Sequence, residues 1–98
     1  MVANIYKYNL ELRPVQKVRI KVVKILDIQI QNGIPVLWAI TNHDAEEQDI
    51  GIVMQGTGTD VLTIVDELEY ISTTQHGDFV WHWFTDFNSG LYERSVKE

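Results

Sequence analysis

Residues 56–59 read Gly-Thr-Gly-Thr, two glycines that permit unusual backbone angles beside two hydroxyls. Consecutive backbone N–H groups converging in such a turn, usually at a helix N-terminus, bind phosphate. Gly56, Thr57, Gly58 and Thr59 are therefore candidate ligand contacts. No lysine follows as in a P-loop, and no helix start follows either. The simpler reading is a glycine-rich turn with a bulge at a strand end.

A second candidate is cationic. In KVRIKV, Lys17, Arg19 and Lys21 alternate with Val18, Ile20 and Val22. On a strand the three cations would stand in line about 7 Å apart, suited to a phosphate-bearing ligand or a partner's acidic patch. The same spacing fits a solvated edge strand, where lysine discourages wrong pairing. A third candidate is Trp38 with Asp27, Gln29 and Gln31. An aromatic plane among amides suits a nucleobase, through stacking and edge hydrogen bonds. It suits a subunit interface equally well.

Other chemistries find little support. His43 lies in an acidic loop, His76 in a turn and His82 within a strand, so no pair has metal-ligand spacing on one element and no metal site is expected. The carboxylates cluster in runs such as DAEEQD (44–49) and DELE (66–69), not as a buried pair with separated pKa values. No GxSxG is present. The expectation is a protein without a catalytic constellation and without a cofactor.

The elements that must position these residues are strands. KVRIKV alternates strictly, as a half-buried strand does. Residues 4–12 alternate too, with Tyr6, Tyr8, Leu10 and Leu12 on one face and Pro14 ending the strand. Asn32-Gly33, between the runs KILDIQIQ and IPVLWAIT, is the preferred two-residue hairpin turn, since both central positions need positive φ. It sets Gln31 opposite Ile34, Ile28 opposite Leu37 and Leu26 opposite Ala39. One face then carries Leu26, Ile28, Ile30, Pro35, Leu37 and Ala39. The other mixes Ile25, Ile34, Val36, Trp38 and Ile40 with Asp27, Gln29 and Gln31.

Residues 43–48 read as a solvated loop and 49–55 as a strand; 61–67 fit a short strand or one helical turn. A second hairpin over LEYISTTQ-HG-DFVWHWFTD, with His76-Gly77 as its turn, puts Phe79, Trp81 and Trp83 on a face with Tyr70. Val80, His82 and Phe84 form the opposite, also apolar, face. The predicted fold is all-β: a small sandwich or barrel of about seven short antiparallel strands.

The 98 residues make a single domain over 1–98, with flexible ends at 1–3 and 88–98. At this size roughly two-thirds of the unfolded chain's surface is buried, enough for one modest core. With no cysteine there is no disulfide or thiolate metal site. MVANIYKYNLELR lacks the basic region and apolar run of a signal peptide, and apolar runs stay far below the ~20 residues of a membrane helix. A soluble cytoplasmic protein is expected. The net charge of −6 argues against duplex nucleic acid as a partner. Strands apolar on both faces need a covering layer, which a second copy would supply. Ile25, Ile34, Val36, Ile40, Val80, His82 and Phe84 are the expected contacts of that homo-oligomer.

KILDIQIQNGIPVLWAI, then GTG, then LEYISTTQ and FVWHWF, together resemble a family of small bacteriophage-encoded proteins. Its pattern is an IYKY-like strand, a KIL-x-x-Q-x-QNG-x-P-x-LWA hairpin, a GTG turn and a LEYIGT-x-Q hairpin closing in F-V-x-H-x-F. The likeness runs over residues 5–84. QKVRIKVV is longer and more basic than the family's segment there, and residues 60–67 are more apolar. The family is a domain of unknown function, so the resemblance implies a viral accessory role in the infected bacterial cytoplasm and no catalytic residues. The expectation is a non-enzymatic protein that sequesters a host target, a nucleotide-type defence signal first. The alternatives are a minor virion or assembly component and an inhibitor of a host protein.

Overall fold

The computed structural model describes residues 3–59 and 67–87. Seven strands follow one another: β1 (Ala3–Asn9), β2 (Val15–Ile20), β3 (Val22–Gln31), β4 (Ile34–Asn42), β5 (Gln48–Gly56), β6 (Glu69–His76) and β7 (Phe79–Thr85). They form two antiparallel sheets. The first has three strands in the order β1-β4-β3, and the second has four in the order β2-β5-β7-β6. The all-β expectation holds. The ambiguous segment 61–67 lies outside the described residues save Glu67, as do the expected flexible end 88–98 and residues 1–2; Ala3 already belongs to β1.

The core lies between the sheets. Leu10, Val22, Ile28, Leu37 and Ala39 come from the three-stranded side, and Ile20, Ile50, Ile52, Met54 and Trp83 from the four-stranded side. Trp83 is fully buried, and its indole N–H donates to Thr74 Oγ1 at 2.9 Å, so the large ring enters the core without leaving a polar atom unpaired. The sheets are joined along β3 and β6 by a buried hydrogen bond, in which the Ser72 hydroxyl donates to the Ile28 carbonyl at 2.6 Å.

KVRIKV is not one strand. β2 ends at Ile20 and β3 begins at Val22, so the chain passes from the four-stranded to the three-stranded sheet at Lys21. Asn42 N–H donates to the Lys21 carbonyl at 3.2 Å and fixes the corner. Ile20 and Val22 are both buried, because either sheet turns its inner side to the same core.

The first hairpin forms as its turn requires. Asn32 and Gly33 have φ of 52° and 79°, and the pairs Gln31–Ile34 and Ile28–Leu37 are made. Beyond them the register breaks between Ile25 and Asp27. Ile25, not Leu26, opposes Ala39, so Ile25 packs against the core while Leu26 is 40 % exposed. A bulge rotates one residue out of the alternation, and the expected inner and outer positions of these two side chains are exchanged.

The second hairpin turns at Gly77-Asp78, with His76 paired to Phe79 and Gly77 at φ 62°. Moving the turn by one residue slides the pairing by two and preserves faces. A bulge between Tyr70 and Ser72 then sets Tyr70 opposite Phe84, not on the face of Trp81 and Trp83. Tyr70 and Phe84 meet edge to face, with ring centroids 5.8 Å apart.

Candidate functional site

The glycine–threonine run lies at the end of β5, on the outer side of the four-stranded sheet. Gly56 faces Trp81, and a Cβ there would approach the indole ring to 3.0 Å; the glycine lets a large ring lie against the backbone. The turn is largely self-satisfied. Thr57 N–H donates to the Val80 carbonyl at 3.1 Å, and Thr59 donates to the Gly56 carbonyl from its N–H at 3.3 Å and its hydroxyl at 2.8 Å. A phosphate cradle needs successive free N–H groups. Here Gly58, at φ 84°, is the turn residue whose N–H has no partner among the described residues, between two engaged neighbours.

What the turn builds instead is one wall of a cleft of about 270 Å³, lined also by Gln55, His82 and Phe84. His82 is held from both sides. Its Nε2 is 2.8 Å from Thr57 Oγ1 and its Nδ1 is 3.0 Å from Thr73 Oγ1, which in turn meets Tyr70 OH at 2.7 Å. Hydroxyls donate or accept, so either tautomer of the ring is accommodated. Gln55 opposes His82 across β5 and β7. Its Nε2 bonds to the Met54 carbonyl at 3.4 Å, while its Oε1 is buried with no partner among the described residues. Sequence reasoning named the turn and His82 but missed Gln55, which alternates outward in an apolar strand and carries no motif.

The cationic candidates are not equivalent. Arg19 is clamped by two acids, with Nε 2.7 Å from Glu47 and Nη1 3.0 Å from Asp49. The hydrogen bonds to Asp49 and then Glu47, with their negative charges, push its pKa further up. Lys21 sits at the corner outside β2 and donates to the His43 carbonyl at 3.2 Å. Lys17 makes no side-chain bond among the described residues. Three free cations in line are thus replaced by one neutralised guanidinium and two separated lysines. None lines the Gln55 cleft; Arg19 and Lys21 line a second cleft, between β1 and β2.

Trp38 lies on the outer face of the three-stranded sheet, between Lys7 on β1 and Asp27 on β3. Lys7 Nζ reaches across β4 to Gln31 Oε1 at 3.0 Å. Val36, on the same strand as Trp38, is only 2 % exposed although it is not part of the core cluster. Of the expected contacts, Val36 is buried within the chain, and Ile25 is half-buried and turned toward the core. Ile34 is exposed, and Ile40, Val80, His82 and Phe84 are half-buried. No group of three or more acidic or histidine side chains placed to hold a metal occurs among the described residues.

Over residues 1–90 the chain matches the family described as a domain of unknown function, DUF7352, and it belongs to that family. No curated protein and no solved structure matches it.

Proposed function

We propose that this member of the DUF7352 family is a phage-encoded, non-enzymatic accessory protein that binds and sequesters a nucleotide-type signal in the infected bacterial cell. The observation that carries the reading is the Gln55 side chain. Its amide oxygen is buried beside the cleft with no donor among the described residues, an arrangement that costs about 1–3 kcal/mol; the Trp81 indole nitrogen is the other buried polar side-chain atom without a partner there. A ligand bearing an exocyclic amino group, as nucleobases do, supplies that donor. Phe84 offers the base an apolar edge, and Thr57 with His82 offers hydroxyl and imidazole partners to a ribose.

The cleft of about 270 Å³ is below the ~300–1,000 Å³ usual for a drug-sized ligand. It covers one nucleoside unit. A second copy of the chain, meeting the outer face of the four-stranded sheet at Val80 and Phe84, completes the enclosure of a larger signal.

Calorimetry against cyclic dinucleotides, cyclic trinucleotides and cyclic ADP-ribose isomers tests this. Binding to at least one of them is expected, with a loss of about tenfold or more in Gln55→Leu. No heat with any of these compounds, together with no host protein recovered in pull-downs, overturns it.

A further inference from the structure

A second cleft, also of about 270 Å³, is lined by residues of β1 from one sheet and β2 from the other. Tyr6 and Tyr8 form one wall. Tyr8 packs against the core cluster, which fixes its ring, and Tyr6 is 49 % exposed beside it. Neither phenol makes a hydrogen bond among the described residues. Arg19, Lys21 and Glu47 form the other wall.

At the end of β4 lies Asn42, only 5 % exposed. Its Oδ1 accepts from Asp44 N–H at 2.9 Å and its backbone N–H donates to the Lys21 carbonyl, so the amide is held in one orientation. Its Nδ2 donors form no hydrogen bond among the described residues.

The charges decide the class of ligand. Arg19 is neutralised by Glu47 in the lining and by Asp49 just outside it, and the Lys21 ammonium rests on the His43 carbonyl. An anion approaching Arg19 meets the carboxylate of Glu47, which already pairs with it. Beside the Lys21 ammonium, the groups that face the cleft are two phenols, an oriented amide NH₂, the second carboxylate oxygen of Glu47 and the remaining guanidinium N–H groups. They alternate donors with acceptors around aromatic faces.

We propose that this cleft binds a single uncharged sugar ring. The apolar C–H face of the ring lies on Tyr6, and its vicinal hydroxyls bridge Asn42, Glu47 and Arg19. The volume of about 270 Å³ admits one ring.

The site is separate from the Gln55 cleft, and its test is independent. Saturation-transfer NMR on the full chain uses glucose, galactose and N-acetylglucosamine, with glucose 6-phosphate and adenosine as charged and aromatic counterparts. Saturable transfer to the ring protons of at least one neutral sugar is expected. Tyr6→Ala, at an exposed position, weakens it by about tenfold while Tyr6→Phe retains most of it. Gln55→Leu leaves it unchanged. The proposal is overturned by no saturable signal from any neutral sugar, by glucose 6-phosphate binding as tightly as glucose, by adenosine alone binding, or by an unaltered signal in Tyr6→Ala.

Discussion

The Ser72 hydroxyl lies 2.6 Å from the Ile28 carbonyl, and this buried bond is a direct tie between the two sheets where β6 runs beside β3. Its removal leaves a carbonyl on an edge strand without a partner in a place water does not reach. Ser72→Ala is expected to lower the unfolding free energy by about 1–3 kcal/mol, read from urea midpoints at constant m. A change within error would mean that the tie carries no net stability.

Trp83 is the largest fully buried side chain, and it reaches Thr74. Trp83→Phe opens a void and strands the Thr74 hydroxyl, at a cost of about 2–4 kcal/mol; Thr74→Val removes the acceptor alone and costs about 1–3 kcal/mol. Because both substitutions act on one contact, the double variant loses less than the sum. Strict additivity in chemical denaturation would contradict the coupling.

Gly51 N–H donates to Asp86 Oδ1 at 2.8 Å, and a Cβ on Gly51 would stand 2.6 Å from Asp86 Oδ2. Gly51→Ala therefore displaces the carboxylate and breaks the bond that anchors the chain after β7. A loss of about 1–3 kcal/mol is expected. Asp86→Ala in the Gly51→Ala background relieves the clash and adds no further loss. If Gly51→Ala melted with the parent chain, the close approach would be refuted.

Arg19 is exposed, and its contacts with Glu47 and Asp49 are surface ion pairs, of the kind that contribute little. Arg19→Ala should leave the thermal midpoint unchanged. The sign of the pH effect follows from the raised pKa. Any stability from the pairing is fully present below the ordinary arginine value and is lost only as pH rises through the higher folded one. Arg19 thus adds no slope to stability between neutral and mildly alkaline pH. A difference in slope there between parent and variant, followed by circular dichroism, would count against this.

His82 separates ligand binding from stability. Its partners Thr57 and Thr73 are exposed hydroxyls that water can satisfy once the ring is gone. His82→Phe is expected to shift stability by less than about 1 kcal/mol while weakening nucleotide binding at the Gln55 cleft. A variant that binds as the parent does would remove His82 from that site.

The strands were legible wherever a local rule decided them. Asn32-Gly33 announced its turn because only a left-handed pair closes two residues between twisted strands. Alternation located β2 and β3 but not the corner at Lys21, since a chain that crosses between two sheets keeps pointing every second side chain into the same core. The bulges beside Leu26 and Tyr70 were illegible for another reason. A bulge depends on what the partner strand presents, and neither run carries a glycine to mark it. For the candidate sites, the glycine–threonine run was visible as a motif, whereas the acids that neutralise Arg19 lie 28 and 30 positions away and meet it only through the pairing of β2 with β5.

The order of strands also sets a timetable for synthesis. All three strands of the smaller sheet have been made by residue 42, yet the ribbon that joins β5 to β6 and delivers Trp83 spans residues 79–85. A chain emerging from the ribosome therefore carries one finished sheet with an oily underside from residue 42 until β7 is made. Growth at ~5–20 residues per second prolongs that exposure by seconds. The last-made hairpin closes the molecule, and a chain cut short before it would be prone to clump.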